Sequence, residues 1–268
     1  MRSINKIKLF SNKTEQSNQI EKKLINLLKK YDFEISDDFD LGIAIGGDGS
    51  FLKMIKQANF NSSPYYIGVN TGTLGFLQEI SPNKLKEFVE SLNKNNFKID
   101  EIGVLETTIT QKDNVKKYYA LNELVIRDIN LNVFKSEVFV DTIKLEDFAG
   151  DGLLITTSVG SSAYNISLNG ALVYNTLHTI QINPISPLNT SAYRNLLNPI
   201  ILPEKALVEI IPKKREVTIM CDGEMEQLRE ITKLDCSVQN KKLKFLRMKE
   251  YQFINIVNQK FLTENQKK

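Results

Sequence analysis

The first hundred residues alternate between short, continuous apolar runs and segments whose apolar residues recur at helical spacing. The apolar runs are typical of buried parallel strands, and the helical spacing is typical of amphipathic helices. Strands are predicted at 4–10, 41–45 and 66–69, and helices at 20–31, 51–55 and 85–92. Because strand and helix alternate, residues 1–100 predict an α/β domain with a mostly parallel sheet.

The pattern changes near residue 100, where apolar and polar residues begin to alternate with the period of strands. Strand-like segments are predicted at 104–111, 116–127, 133–140, 143–148, 153–157, 207–211, 217–221 and 243–248. One helix is expected around 162–173. Residues 101–248 therefore predict a β-rich, β-sandwich-like domain. The C-terminal segment 249–268 is expected to return to the first domain as a short helix.

The scarce residues limit the chemistry. His178 is the one histidine, so a multi-histidine metal site cannot be built within one chain, and a serine–histidine–aspartate triad could form only around it. Acid–base chemistry is expected to rest on carboxylates. The 268 residues include 35 Lys+Arg and 32 Asp+Glu, so the net charge of +3 is too small to indicate a nucleic-acid partner.

Location follows from the same counts. Two cysteines, Cys221 and Cys236, are too few for a disulfide framework. No apolar run approaches the roughly 20 residues needed to span a membrane, and residues 1–16 lack the apolar core of a signal peptide. We expect a cytoplasmic protein with no membrane partner.

The segment Gly46-Gly47-Asp48-Gly49-Ser50 follows a predicted buried strand and opens a predicted helix. Glycines at such a turn leave backbone N–H groups open to a phosphate, and the helix adds the positive end of its dipole. Asp48 could activate a hydroxyl or help to hold a metal ion. The alternative is an ordinary strand-to-helix turn with Asp48 as N-cap. The position after a buried strand favours the functional interpretation.

GGDGS occurs in phosphofructokinases, in diacylglycerol and sphingosine kinases, and in NAD kinases, and the rest of the chain resembles the last. The supporting segments are 70–77 (NTGTLGFL), Asn122-Glu123 within 120–126 (ALNELVI), 150–165 (GDGLLITTSVGSSAYN), 185–188 (ISPL) and 221–223 (CDG). They occur in the family's order and at its spacing over most of the chain. The sequence is therefore similar to bacterial NAD kinases.

The resemblance implies transfer of the γ-phosphoryl group of ATP to the 2′-hydroxyl of the adenosine ribose of NAD, with Asp48 as proton acceptor and Mg²⁺ accompanying ATP. NAD is then a substrate, the β-rich domain binds it, and the protein is a homo-oligomer, a dimer or a tetramer. The resemblance assigns nucleotide binding to Gly46, Gly47, Gly49, Phe76, Asn122, Glu123, Asp151, Ser162, Ala163, Tyr164, Asn165, Ser167 and Ser186. It assigns no residue to metal binding.

Alternatives remain for several of these residues. Asn122 and Glu123 could be a polar pair at the end of a strand, and Phe76 and Tyr164 could be core aromatics. Two departures stand out: Ala149 replaces a basic residue common in relatives, and Ser158 replaces a proline, which we expect only to loosen that turn. At the level of function, the alternatives are a lipid or sugar kinase that shares GGDG, and a dinucleotide-binding regulator without transfer activity.

Overall fold

The computed structural model describes residues 4–72, 75–238 and 242–263. The chain divides into two compact units, the first made of Met1–Glu101 with Leu243–Lys268 and the second of Ile102–Lys242. The second domain expected from the sequence ended at 248. The division instead assigns the segment from Leu243 onward to the first unit.

The strands and helices follow in chain order. The strands are β1 (Lys6–Ser11), β2 (Glu34–Ile35), β3 (Leu41–Gly46), β4 (Tyr65–Asn70), β5 (Phe97–Ile102), β6 (Leu105–Gln111), β7 (Asn114–Ala120), β8 (Glu123–Asp128), β9 (Phe134–Val140), β10 (Ile143–Gly150), β11 (Gly152–Thr157), β12 (Thr179–Ile185), β13 (Ile200–Pro203), β14 (Val208–Pro212), β15 (Val217–Cys221), β16 (Glu224–Leu228), β17 (Ile231–Val238) and β18 (Leu243–Met248). The helices are α1 (Glu15–Lys29), α2 (Asp48–Gln57), α3 (Leu85–Asn93), α4 (Tyr164–Ser167) and α5 (Phe253–Val257), with 3₁₀ turns at Pro82–Lys84 and Val159–Ser162 and a π-helical turn at Asn258–Leu262.

The first unit is built on a six-stranded sheet in the order β2-β1-β3-β4-β18-β5. The pairs from β2 to β18 are parallel. Every residue of β3 and β4 is buried, which is typical of central strands in a parallel sheet. Helix α1 begins at the N-cap Thr14 and packs Ile20, Leu24 and Leu28 into the core of this unit. The expected α/β domain with a mostly parallel sheet is confirmed.

Strand β18 corrects the prediction for 243–248. The segment was expected in the β-rich domain, but it pairs in parallel with β4 in the first sheet. Leu246 lies in the first core, and the ring of Phe245 packs edge-on against Phe51 at 4.9 Å between centroids. An apolar run predicts a strand but does not indicate which sheet the strand joins. Residues 264–268 of the predicted returning segment lie outside the described residues.

The second unit is a sandwich of two antiparallel six-stranded sheets, as the β-sandwich-like prediction required. Their orders are β10-β9-β14-β17-β6-β7 and β13-β12-β11-β8-β15-β16. Alternate residues of both sheets meet in one buried cluster, for example Ile109 and Val138 from the first, and Ile126 and Ile155 from the second. In the described residues, no helix has the length and apolar character needed to cross a membrane.

The predicted helix at 162–173 is much shorter in the structure. Only Tyr164–Ser167 is α-helical, directly after the 3₁₀ turn Val159–Ser162. The helix ends because Asn169 adopts a left-handed backbone with φ of 56°. The buried Asn165 side chain donates to the carbonyl oxygens of Ser161 and Ala171, both at 3.1 Å, which folds the following segment back.

Candidate active site

The glycine loop joins β3 to α2. Gly46 has a φ of 152°, and a Cβ there would overlap the Ser50 side chain, so the position requires glycine. A Cβ added at Gly47 or Gly49 would meet no heavy atom within 4 Å among the described residues. Helix α2 starts here, and the first N–H groups of any helix lack intrahelical partners. The loop therefore combines open space with backbone donors, which suits a phosphate group.

Asp48 is not the N-cap of α2; that position is held by Gly47. The Asp48 carboxylate instead accepts two backbone hydrogen bonds, from Phe76 N to Oδ2 and from Leu77 N to Oδ1, both at 3.0 Å. A Cβ at Gly75 would overlap this carboxylate. The alternative of a simple capping aspartate is therefore wrong. Two hydrogen bonds leave part of the carboxylate's acceptor capacity free for an incoming hydroxyl.

Gln78 ties the same two loops together and was missed from the sequence. Its side chain is fully buried, and Nε2 donates to the Gly47 carbonyl oxygen at 2.8 Å. A Cβ at Gly68 would overlap the Gln78 amide. Gln78 directly follows the segment 70–77, and this place next to a motif is the feature of the sequence that could have identified it. Thr73 and Leu74 of this segment lie outside the described residues. We call Gly47, Asp48 and Gly75–Gln78 the Asp48 cluster.

Phe76 is buried in the first unit. Its ring lies 6.1 Å from the Phe253 ring and 5.5 Å from the Phe261 ring, measured between centroids. Phe76 therefore packs on the C-terminal helical segment, which agrees with the core alternative. Its role at an adenine ring stays a prediction.

Asn122 and Glu123 lie where the chain enters β8, and both are buried. The carboxylate of Asp222, in the turn after β15, accepts backbone N–H groups from Leu121 and Asn122 at 2.7 Å and from Glu123 at 3.3 Å. One carboxylate thus fixes the backbone of the whole pair. Asp222 belongs to the segment CDG, but the sequence pattern alone gives it no role in the site.

The fourth motif holds the same pair from the other side. Thr156 Oγ1 donates to the Asn122 carbonyl oxygen at 2.9 Å, and Thr157 Oγ1 donates to the Leu121 carbonyl oxygen at 2.6 Å. A Cβ at Gly160 would overlap the Asn122 carbonyl. Segments 120–126, 150–165 and 221–223 therefore meet around Asn122 and Glu123. The idea of an isolated polar pair at a strand end does not account for this arrangement.

The Glu123 carboxyl group is buried, and its Oε2 has no hydrogen-bond partner among the described residues. Burial and, to a smaller extent, the nearby Asp222 carboxylate raise the pKa of Glu123 to about 8, while a hydrogen bond from the Tyr164 backbone N–H acts in the opposite direction. At neutral pH the neutral acid is therefore favoured, and it can donate as well as accept. The sequence alone treats Glu123 as an acceptor only.

The turn after β11 presents the remaining residues of this motif. Ser162, Ala163 and Tyr164 are half-buried and Ser167 is exposed. Asn165 is fully buried, and besides its two donated bonds it accepts one from Asn183 Nδ2 at 3.0 Å. Its side chain therefore supports the turn from inside.

Ser158 tightens this turn rather than loosening it. Its hydroxyl contacts the Leu177 carbonyl oxygen and accepts from Thr179 N at 3.3 Å. The serine at the usual proline position thus links the turn to the start of β12.

Asp151 and Ser186 are both exposed and lie at neighbouring strand ends, where Asp151 N donates to the Ile185 carbonyl oxygen at 2.9 Å. Ser186 has a φ of 45°. The adjacent Ala149 is fully buried, and its backbone is held by the Asn195 side chain. The structure therefore places Asp151 and Ser186 together, with no cation at position 149.

Comparisons with known proteins cover most of the chain and give one family. The family model for the ATP-NAD kinase N-terminal domain matches residues 1–97, and the one for the ATP-NAD kinase C-terminal domain matches residues 121–246. The chain is 31% identical to the NAD kinase of Finegoldia magna, covering 96% of this chain and 97% of that protein. It is 32% identical to the NAD kinase of Leuconostoc mesenteroides, covering 97% and 99%.

Solved structures show the same fold. Yeast NADH kinase complexed with NADH matches with a TM-score of 0.86 at 19% identity, covering 99% of this chain and 89% of that one. An NAD kinase from Archaeoglobus fulgidus in complex with ATP matches with a TM-score of 0.77 at 20% identity, covering 95% and 98%.

Proposed function

The chain belongs to the NAD kinase family, whose activity is the phosphorylation of NAD to NADP, and we propose that in this protein Asp48 accepts the proton of the reacting hydroxyl. That hydroxyl is the 2′-hydroxyl of the adenosine ribose of NAD, and the donor is the γ-phosphoryl group of ATP. A ribose hydroxyl is a poor nucleophile until a base removes its proton.

The fixed orientation of the Asp48 carboxylate carries this proposal. Two backbone N–H groups, from Phe76 and Leu77, orient it without a side chain that could rotate away. Gln78 holds the adjoining Gly47 carbonyl, so the loop and the base keep one geometry. A preorganised base needs little rearrangement when the substrate arrives.

We propose that Gly46, Gly47 and Gly49 bind phosphate groups of the nucleotide. The open space at Gly47 and Gly49 supports this role. Dinucleotide binding is proposed for Phe76 and for the second-unit residues Asn122, Glu123, Asp151, Ser162, Ala163, Tyr164, Asn165, Ser167 and Ser186. Asn165 would act there by shaping the turn.

Magnesium is proposed to enter with ATP. Among the described residues, no group of three or more histidine, cysteine or acidic side chains could hold a metal ion. Mg²⁺ commonly uses one or two carboxylates together with substrate phosphates, and Asp48 beside the open glycine loop fits that donor set. Bound to the phosphates, the ion would neutralise charge on the transferred group.

The setting of the enzyme is also a proposal. We propose that the enzyme is cytoplasmic, which the low cysteine count supports. We also propose that it is a homo-oligomer, a dimer or a tetramer, which its family supports. Light scattering of the purified chain gives the number of subunits, and cell fractionation gives the location.

A coupled assay for NADP tests the proposed function. The full-length chain is incubated with Mg²⁺ and either ATP or polyphosphate, and with NAD, NADH or diacylglycerol as acceptor. NADP formation from ATP and NAD is expected. Phosphorylation of diacylglycerol alone would indicate a lipid kinase, and NAD binding by calorimetry without NADP under any donor would indicate a regulator. Asp48→Asn is expected to fold and bind NAD while forming almost no NADP.

A further inference from the structure

Arg127 lies on the same face of β8 as Glu123. The alternate residues Leu124 and Ile126 point into the sandwich core, whereas Val125 packs in a separate cluster against Tyr164. Since side chains alternate along a strand, Arg127 joins Glu123 and Val125 on the Tyr164 side. Gly152 makes room for it, because a Cβ there would lie 2.8 Å from Arg127 Cγ.

Arg127 is half-buried, and its guanidinium group has no counter-ion among the residues that the structure describes. Among the described residues it forms no ion pair, and its one side-chain hydrogen bond runs from Nη2 to the Tyr164 hydroxyl oxygen at 2.8 Å. Arg247 in the first unit is the opposite case, because it lies between the carboxylates of Glu79 and Asp100. A guanidinium has five N–H donors, so Arg127 keeps most of its donors for a ligand.

The surroundings select the kind of ligand. The Tyr164 hydroxyl oxygen orients the guanidinium group by accepting a hydrogen bond from Nη2. The remaining N–H groups of the planar guanidinium can then donate two parallel hydrogen bonds to one ligand group. This arrangement of N–H donors matches the oxygens of a phosphate or carboxylate, and the proposed substrate and product both carry phosphates. Glu123, on the same strand face, has a raised pKa, so its neutral form is favoured near neutral pH. It therefore competes little with a ligand anion for Arg127.

We propose that Arg127, oriented by Tyr164, binds a phosphate group of the dinucleotide. The proposal rests on the proposed function, because it takes NAD and NADP as the ligands. The phosphate is either the pyrophosphate that both molecules share or the 2′-phosphate that only NADP carries. Both sources offer the same phosphate oxygens to Arg127, and experiment can separate them.

Calorimetric titration of the full chain with NAD and with NADP tests this role. Arg127→Gln is expected to weaken binding by about tenfold or more, the usual effect of losing a charge-assisted contact. An equal loss for NAD and NADP indicates the pyrophosphate, and a loss for NADP alone indicates the 2′-phosphate. Arg127→Lys should recover part of the affinity, since it keeps the charge but not this arrangement of N–H donors. Tyr164→Phe should weaken binding less than Arg127→Gln.

Arg229→Gln is the matched control, because Arg229 is an exposed arginine of the same unit, paired with Glu216. It should leave both affinities unchanged. Wild-type affinity of Arg127→Gln for both ligands, in a folded protein, would overturn the proposal. If Arg127→Gln does not fold, wild-type affinities of Arg127→Lys and Tyr164→Phe for both ligands would overturn it. Wild-type protein that neither binds NAD nor forms NADP would instead contradict the proposed function itself.

Discussion

Two carboxyl groups, one in each unit, are treated in opposite ways by their surroundings. Asp48 in the first unit has a backbone N–H on each oxygen, supplied by Phe76 and Leu77. Glu123 in the second unit has its backbone fixed by Asp222, but its own Oε2 has no partner among the described residues. The Asp48 side chain is held in place before any ligand arrives. Glu123, in contrast, has a carboxyl oxygen, Oε2, that a ligand can supply with a hydrogen bond.

The difference separates two tasks. A base that must meet a hydroxyl at one point benefits from a fixed orientation. A binding residue benefits from a buried polar group whose desolvation cost is offset only when the right ligand supplies the missing hydrogen bond. We therefore expect changes around Asp48 to affect turnover, and changes around Glu123 to affect dinucleotide affinity.

Among substitutions of the residues that surround the two carboxyl groups, the largest effect is expected from Gly75→Ala. The added methyl group would overlap the Asp48 carboxylate, so either the carboxylate or the loop at 75–77 must move. A displaced base should lower kcat for NADP formation by about 100-fold. Steady-state kinetics at saturating NAD measures this. Gly72→Ala is the matched control, since a Cβ there meets no described atom within 4 Å. A wild-type kcat in both variants would show that the position of Asp48 is unimportant.

A smaller effect is expected from Asp222→Ala, which leaves the N–H groups of Leu121, Asn122 and Glu123 without their acceptor. The misplaced pair should raise the Kd for NAD about tenfold, and the free energy of unfolding should fall by about 3 kcal/mol. Calorimetry and urea unfolding provide the two values. Asp222→Asn keeps one acceptor oxygen and should show part of each change. An unchanged KM for ATP would locate the effect at the dinucleotide, and an unchanged Kd for NAD would contradict the positioning role.

The remaining effect concerns the dependence of stability on pH. In the unfolded chain Glu123 titrates near its ordinary pKa of 4.5, and in the folded protein near about 8. Between these values the folded protein keeps a proton that the unfolded chain releases. The free energy of unfolding therefore falls as pH rises from about 5 to about 8, by at most about 1.4 kcal/mol per pH unit from this group.

Glu123→Gln removes that titration and keeps the shape of the side chain. The variant should match wild type near pH 5 and become the more stable of the two as pH approaches 8. Thermal or urea unfolding across this range measures the gap. Burial also raises the pKa of Glu79, to about 7, but Glu79 is present in both proteins and cancels from the difference. A gap that stays constant with pH would show that Glu123 is not protonated at neutral pH.

The sequence predicts those features that depend on local pattern. The continuous apolar runs of β3 and β4 and the glycines after β3 are visible in the chain itself. The contacts that complete the site are not, because they join distant residues. Asp48 meets Leu77 across 29 positions, and Asn122 meets Asp222 across 100. The membership of β18 in the first sheet escapes prediction for the same reason, since an apolar run carries no information about its neighbours.

The contrast between the two carboxyl groups is tested most directly by kinetics of Asp48→Asn and Glu123→Gln measured side by side. Both variants are assayed for NADP formation over a range of NAD concentrations, with NAD binding followed by calorimetry. We expect Asp48→Asn to bind NAD normally and to lose kcat by about 100-fold or more, within the range for removal of a general base. We expect Glu123→Gln to raise the KM and Kd for NAD while keeping most of kcat. Wild-type kcat in Asp48→Asn, or loss of kcat with unchanged NAD binding in Glu123→Gln, would contradict the account.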